Sequence, residues 1–336
     1  MYEKNIKKEN IRCFLCIFAS QRNENMETCG HLYYPKNLSE APAYIFNGLA
    51  QGHDLCFLPD FTLQPRPFWR KMLKFLLVGR IPLSGRLTEW ITGYKGYQRL
   101  TTLQPNDRLL VNGVTNLRTL RAVKWLTPPH VRRFQYFNNC LRFVLPPARV
   151  GKVVAQMQQM GYRLVTFDPQ EAKEYGMTYA PQFYRFPDVK PVKIRYDFFF
   201  CGEKKNRGDR LEELRKSLED KGFRCLFIIV DGSSDTRISY EQYLEHVMES
   251  RCIVDFFQHG QVGLTRRPME SLFFNKKLLT ENPHILEFDF YHPENIFVFG
   301  RDDFSQIRKF LESKPVLVPD DIKRQYDVSQ WLRHFD

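Results

Sequence analysis

The feature that most restricts the fold is an alternation of short apolar runs with stretches of helical period, interrupted at Asp188-Val-Lys-Pro191 and then resumed. Before the interruption, Ile11–Ala19, Asp54–Pro59, Asp107–Asn112, Val131–Asn138 and Tyr162–Asp168 read as strands. Leu38–Gln51, Leu117–Trp125 and Ala148–Met160 read as the helices between them, with a polar loop at Ser20–Asn37. After it come strands at Tyr196–Cys201, Cys225–Asp231, Cys252–Phe256, Lys277–Thr280 and Ile296–Gly300, with helices at Asp209–Lys221, at Tyr240–Glu249 and from near Pro268. Strands separated by helices pair in parallel, because the crossover needs a helix's length of chain. The expected class is therefore α/β: two Rossmann-like domains with mostly parallel sheets, facing each other across a cleft.

A chain of 336 residues exceeds what one core usually supports, which agrees with a division into two. The predicted boundaries are 1–190, 191–316 and a tail, 317–336, with room for a helix that packs back on the first domain. The eight cysteines are scattered, several inside apolar runs where they act as small hydrophobes. Cys13 and Cys16 have metal-pair spacing, but no second pair accompanies them and strand alternation turns them to opposite faces. No metal or other cofactor is expected. The N-terminus is polar and no window approaches the ~20 apolar residues of a membrane span, so a cytoplasmic protein is expected.

The net charge of +12 calls for a polyanionic partner. Between Arg66 and Arg99, basic residues interleave with Phe68, Trp69, Leu73, Phe75 and Trp90, against the single acid Glu89. Such a mixture suits a surface lying on the acidic inner face of a membrane, and equally a solvated helix covering the domain. Neither a helix-turn-helix, a zinc finger nor an RNP string is visible, so a nucleic-acid partner is not expected.

In parallel α/β sheets ligands bind beyond the carboxyl ends of the strands. Two loops there are heavily loaded. Cys201–Arg210 carries Lys204, Lys205, Arg207 and Arg210 around Gly202 and Gly208, a turn suited to a diphosphate. Gln258–Glu270 carries Gln261, Gly263, Thr265, Arg266 and Arg267 ahead of a helix that Pro268 opens, with Glu270 in its first turn, where a carboxylate can accept from paired ribose hydroxyls. Tyr240, opening the preceding helix, is grouped with them. For a proton acceptor the candidates are His31, His53, Asp168 and His259.

At these residues the chain resembles the GT-B glycosyltransferases. The run Glu270-Ser-Leu-Phe-Phe-Asn-Lys-Lys-Leu-Leu-Thr280 is similar to the element in which a glutamate opening a helix binds the donor ribose, and Phe199–Arg210 to the loop that holds the diphosphate. More narrowly, Thr166–Gly176 with Gln182-Phe-Tyr184, and Gly263–Glu270 with Lys276, Lys277, Asn282 and Asp289–Asn295, are similar to bacterial capsule and lipopolysaccharide biosynthesis proteins over roughly residues 105–312. The resemblance implies a metal-independent transferase that moves a sugar from a nucleotide-sugar donor to a glycan or lipid-linked glycan acceptor. The chain departs from the pattern at Val262, eight positions before the glutamate, where retaining members often carry an acid; Gln261 stands beside it. A non-catalytic scaffold or sugar-nucleotide-binding protein is the alternative that fold resemblance alone leaves open.

Overall fold

A computed structural model describes residues 31–36, 40–46, 49, 55–59, 67–94, 96–189, 191–231, 237–257 and 260–336. The expected strand Ile11–Ala19, the Cys13/Cys16 pair, His53 and His259 lie outside them.

The described chain forms two sheets. The first consists of β1 (Leu32–Lys36), β2 (Leu55–Pro59), β3 (Arg108–Asn112), β4 (Arg132–Phe137), β5 (Tyr162–Thr166) and the short β6 (Thr178–Tyr179), in the order β2-β1-β3-β4-β5-β6. The second consists of β7 (Tyr196–Glu203), β8 (Cys225–Val230), β9 (Ser250–Asp255), β10 (Lys277–Thr280) and β11 (Ile296–Val298), in the order β11-β10-β9-β7-β8. Every pairing between these strands is parallel. Phe198, Phe199 and Phe200 of β7 are all fully buried, as a central parallel strand covered by helices on both faces requires. Both halves are thus Rossmann-like α/β units.

The two sheets share a strand order in which the third strand returns to the far side of the first. In the second sheet β7 pairs with β8 through Phe198↔Cys225 and with β9 through Phe198↔Cys252. The chain leaves β7 and β9 toward opposite sides, and their loops part to open a crevice.

Helix starts follow their caps. Asn116 accepts from the N–H groups of Arg118 and Thr119 to begin Leu117–Leu126, Ser239 and Gln242 form a capping box at Tyr240–Met248, and Thr265 caps Arg266–Phe273.

One core runs through both halves, bringing Leu110 and Tyr136 of the first sheet together with Phe199, Leu264 and Met269 of the second. The last helices, Asp320–Gln325 and Val328–Leu332, complete it. Trp331 stacks on Phe183 at 3.9 Å between ring centroids and meets Tyr136 edge-on at 5.0 Å; Phe335 meets Phe134 at 5.5 Å. Tyr184 is bonded on both sides to the same segment, its N–H donating to Tyr326 O at 2.9 Å and its carbonyl accepting from Val328 N at 2.7 Å.

The first half departs from expectation in places. Strand β1 lies inside the predicted loop Ser20–Asn37, because Leu32 and Tyr33 bury fully despite the interruption by Pro35. Pro169–Tyr175 is a helix capped by Asp168, and the described residues of the basic segment hold the helices Phe68–Leu77 and Gly85–Thr92 and the start of a third, Tyr97–Leu100. Among the described residues, no helix is long and apolar enough to cross a membrane.

Candidate functional site

Beyond the carboxyl ends of β4, β5, β7 and β9 lies an open cleft of about 510 Å³, with walls from both halves. Lys205, Arg207, Arg266 and Arg267 line it from the second half, and no carboxylate is among the described lining residues. Asn138, Asn139, Gln182, Gln261 and Thr265 add neutral hydrogen-bonding groups, and Phe143, Val144 and Phe167 form an apolar wall. Four cations, uncharged donors and acceptors, and two aromatic side chains suit an anion carrying a polar, ring-bearing group.

The arginines are held by the main chain of the diverging strands. Arg207 is buried; its Nε and Nη2 donate to Glu203 O at 3.2 and 3.1 Å, and its Nη1 donates to Phe256 O, linking the end of β7 to the end of β9. Arg267 Nη2 donates to Cys201 O at 2.7 Å, its Nη1 lies 3.4 Å from Asp255 Oδ1, and its guanidinium sits 4.7 Å over the Phe200 ring. Burial, and then the charge of Arg267, push the Arg207 pKa down to about 10. Two guanidiniums that repel each other at the mouth of a cleft gain from an anion placed between them.

Gly202 makes this pair possible. A Cβ there would stand 2.5 Å from Arg267 Nη2 and 3.1 Å from Arg207 Nη2. The glycine therefore leaves room for the two guanidiniums. Lys205 adopts a left-handed backbone, φ 45°, which carries its side chain to the cleft edge.

The helix Arg266–Phe273 starts at the cleft. Thr265 Oγ1 accepts from Arg267 N at 3.3 Å and donates to Asp255 Oδ1 at 2.7 Å, while Asp255 Oδ2 accepts from Thr280 Oγ1 at 3.1 Å. Asp255, buried at the end of β9, went unread in the sequence, and it sets both the helix cap and Arg267. Gln261, also on the cleft, donates from Nε2 to Gly263 O at 2.7 Å.

Other expected site residues stand elsewhere. Because the helix starts at Arg266 rather than at Pro268, Glu270 falls beyond its first turn. It is 2% exposed, with Oε1 accepting from Tyr240 OH at 3.0 Å and Oε2 accepting from Tyr243 OH. Burial raises its pKa, opposed by Arg266, Arg267 and the two hydroxyls. Neither Glu270 nor Tyr240 is among the residues lining the cleft; Tyr240 bridges Glu270 to Tyr184, OH to OH at 2.7 Å. Arg210 is paired with Glu281, whose other oxygen accepts from Phe257 N at 3.2 Å, so it braces the loop after β9. Lys204 is exposed and lies along Gly208, where a Cβ would meet its Cε at 2.5 Å.

Asp168 clasps the two halves together. It is fully buried, its Oδ1 caps Glu171 N at 2.9 Å, and its Oδ2 accepts from Val262 N at 3.2 Å, Gly263 N at 3.0 Å and Cys140 Sγ at 3.2 Å. Burial alone would raise its pKa, but these hydrogen bonds outweigh it and hold the carboxyl below the usual aspartate range. Gly263 is required by the same contact, since a Cβ there would lie 2.7 Å from Phe167 O. Arg142 reinforces the junction, donating from Nε to Glu171 Oε1 and from Nη1 to Gly260 O, both at 3.3 Å. The sequence did carry a signal for Asp168: Asp-Pro followed at the third helical position by Glu is a helix-start signature.

His31 precedes β1 and so stands at the amino ends of the strands, across the sheet from the cleft; its N–H donates to Asp107 Oδ1 at 2.9 Å. Among the described residues, no group of three or more His, Cys, Asp and Glu side chains is placed to hold a metal ion. No protein-family model matches the chain, and no curated protein matches its sequence.

Proposed function

We propose that the chain is a metal-independent glycosyltransferase of the GT-B type, moving a sugar from a nucleotide-sugar donor to a glycan or lipid-linked glycan. The observation that carries this reading is the cleft at the second sheet's strand crossover, lined by Lys205, Arg207, Arg266 and Arg267 without a lining carboxylate among the described residues. When the bond between sugar and diphosphate breaks, negative charge grows on the leaving diphosphate. Fixed cations stabilise that charge more than they stabilise the intact donor, which lowers the barrier. The apolar side chains Phe143 and Phe167 offer contact to a base or sugar ring, and Asn138, Asn139 and Gln182 offer partners for hydroxyls. His259, next to Gly260 in the sequence, is the proton acceptor we propose for the incoming hydroxyl.

The test is a thermal-shift screen against UDP-, GDP-, dTDP- and CMP-sugars, followed by assay of hydrolysis or transfer with the sugar that binds. One of them raises the midpoint of the native chain, and Arg267→Ala abolishes the rise; indifference of both proteins to all four would refute the reading. A second reading, a sugar-nucleotide-binding protein without chemistry, draws on the engagement of Asp168 and Glu270 in structural bonds. Binding with no turnover would select it.

A further inference from the structure

The helix Phe68–Leu77 has none of its residues buried. Its inner side, through Leu73 and Leu77, touches a small cluster of Val78, Ile91 and Ala122. Its outer side is also apolar: Phe68, Met72, Phe75 and Leu76 recur at helical spacing and are 81%, 49%, 59% and 47% exposed. Trp69 and Trp90 extend this stripe, their rings 5.4 Å apart, and Ile81 and Leu87 are exposed close by in the chain. A surface helix normally turns its apolar stripe inward, so an outward one marks a face made to meet something apolar.

Charge selects the partner. From Phe68 to Trp90 the chain carries Arg70, Lys71, Lys74, Arg80 and Arg86, and its one acid, Glu89, accepts from Gln98 N at 2.8 Å. Beside the stripe, Lys71, Lys74 and Arg118 line a groove of about 200 Å³ with Phe75. A second copy of the chain would bring the same positive charges against these, whereas an acidic lipid surface supplies hydrocarbon for the stripe and phosphates for the rim.

We infer that this face docks the protein on an anionic phospholipid bilayer, with the Phe68–Leu77 helix lying in the interface and its apolar stripe among the acyl chains. The groove residue Asn116 lies in the turn after β3, at the same carboxyl edge of the sheet as the cleft. In that turn Gly113 approaches cleft-lining Asn138, its Cβ position 3.3 Å from Oδ1. Docking therefore holds the cleft's first-half wall near the lipid surface. The inference stands independently of the chemistry proposed for the cleft.

The experiment is flotation of the full chain with vesicles of two parts phosphatidylcholine to one part phosphatidylglycerol, against pure phosphatidylcholine, with light scattering of the free protein. The native chain floats with the acidic vesicles, is released by salt, and stays behind with the neutral ones. Arg80→Glu with Arg86→Glu weakens partitioning about tenfold or more, since each basic residue near such a surface contributes on the order of 1 kcal/mol. Phe68→Ser with Met72→Ser, both at exposed positions, abolishes flotation while leaving the melting midpoint unchanged. Failure to float, flotation indifferent to both double variants, or a dimer that the Phe68/Met72 variant dissolves would each overturn the inference, the last by making a second copy the occupant.

Discussion

Gly202 concentrates the logic of the site in one missing carbon. Its Cβ position lies against the guanidiniums of Arg267 and Arg207, which are held by main-chain carbonyls that cannot move without disturbing the sheet and, for Arg267, also by the Asp255 carboxylate. Gly202→Ala forces one arginine off its carbonyl. We expect a loss of about 1–3 kcal/mol in urea denaturation, the usual cost of overpacking. On the proposed function, sugar-nucleotide affinity, read by calorimetry, falls about tenfold or more, the worth of one charged hydrogen bond. Which residues would supply charge was legible from the clustering of lysine and arginine in two strand-end loops. Which of them line the cleft was not, because that depends on partners distant in sequence. Arg210 turns away to Glu281, 71 positions on, and Glu270 is enclosed by tyrosines 27 and 30 positions before it.

Whole elements were easier to read where a short apolar run stands between helical stretches. The predicted strand Lys277–Thr280 coincides with β10, all four of whose residues are buried, and Cys225–Asp231 overshoots β8 by one residue, because the run Cys-Leu-Phe-Ile-Ile-Val is apolar throughout even though five of its six residues, at the sheet edge, are only half-buried. Strand β1 escaped because Pro35 and the polar residues around it disguise a short strand. The loop from Gly260 to Gly263 is held from the other half by Arg142, which donates to Gly260 O, and by Asp168, which accepts from Val262 N and Gly263 N. Asp168→Ala leaves the N–H groups of Val262 and Gly263 unpaired and costs about 2–4 kcal/mol. The pH dependence has a definite sign. A carboxyl whose folded pKa lies below its unfolded value contributes stability above the unfolded value and loses it as pH falls through the folded one. The native protein therefore weakens at pH below the usual aspartate range, and in a comparison of urea midpoints across that range Asp168→Ala shows a flatter slope.

At the scale of the whole molecule, the two sheets behave as one body. The core that joins Tyr136 to Phe199 and Met269 is completed by Trp331, which touches Phe46, Phe183 and Tyr136 in a single contact shell. Differential scanning calorimetry should show one transition, not two, with the calorimetric enthalpy matching the van't Hoff value. Trp331→Ala lowers stability by about 3–5 kcal/mol, the range for deleting a buried aromatic, and destabilises both sheets equally. Protection in hydrogen exchange should drop together in β4 and β9. Two separate melting steps would contradict this picture.

The tethering of Arg207 and Arg267 to carbonyls at the ends of β7 and β9 has a thermodynamic corollary. On the proposed function, side chains already immobilised by the backbone have few torsions left to freeze when the donor's diphosphate arrives, so capture costs little configurational freedom. Encounter should accordingly be governed by diffusion and long-range attraction, with a rate that falls as ionic strength rises and changes little with solvent viscosity beyond the diffusive term.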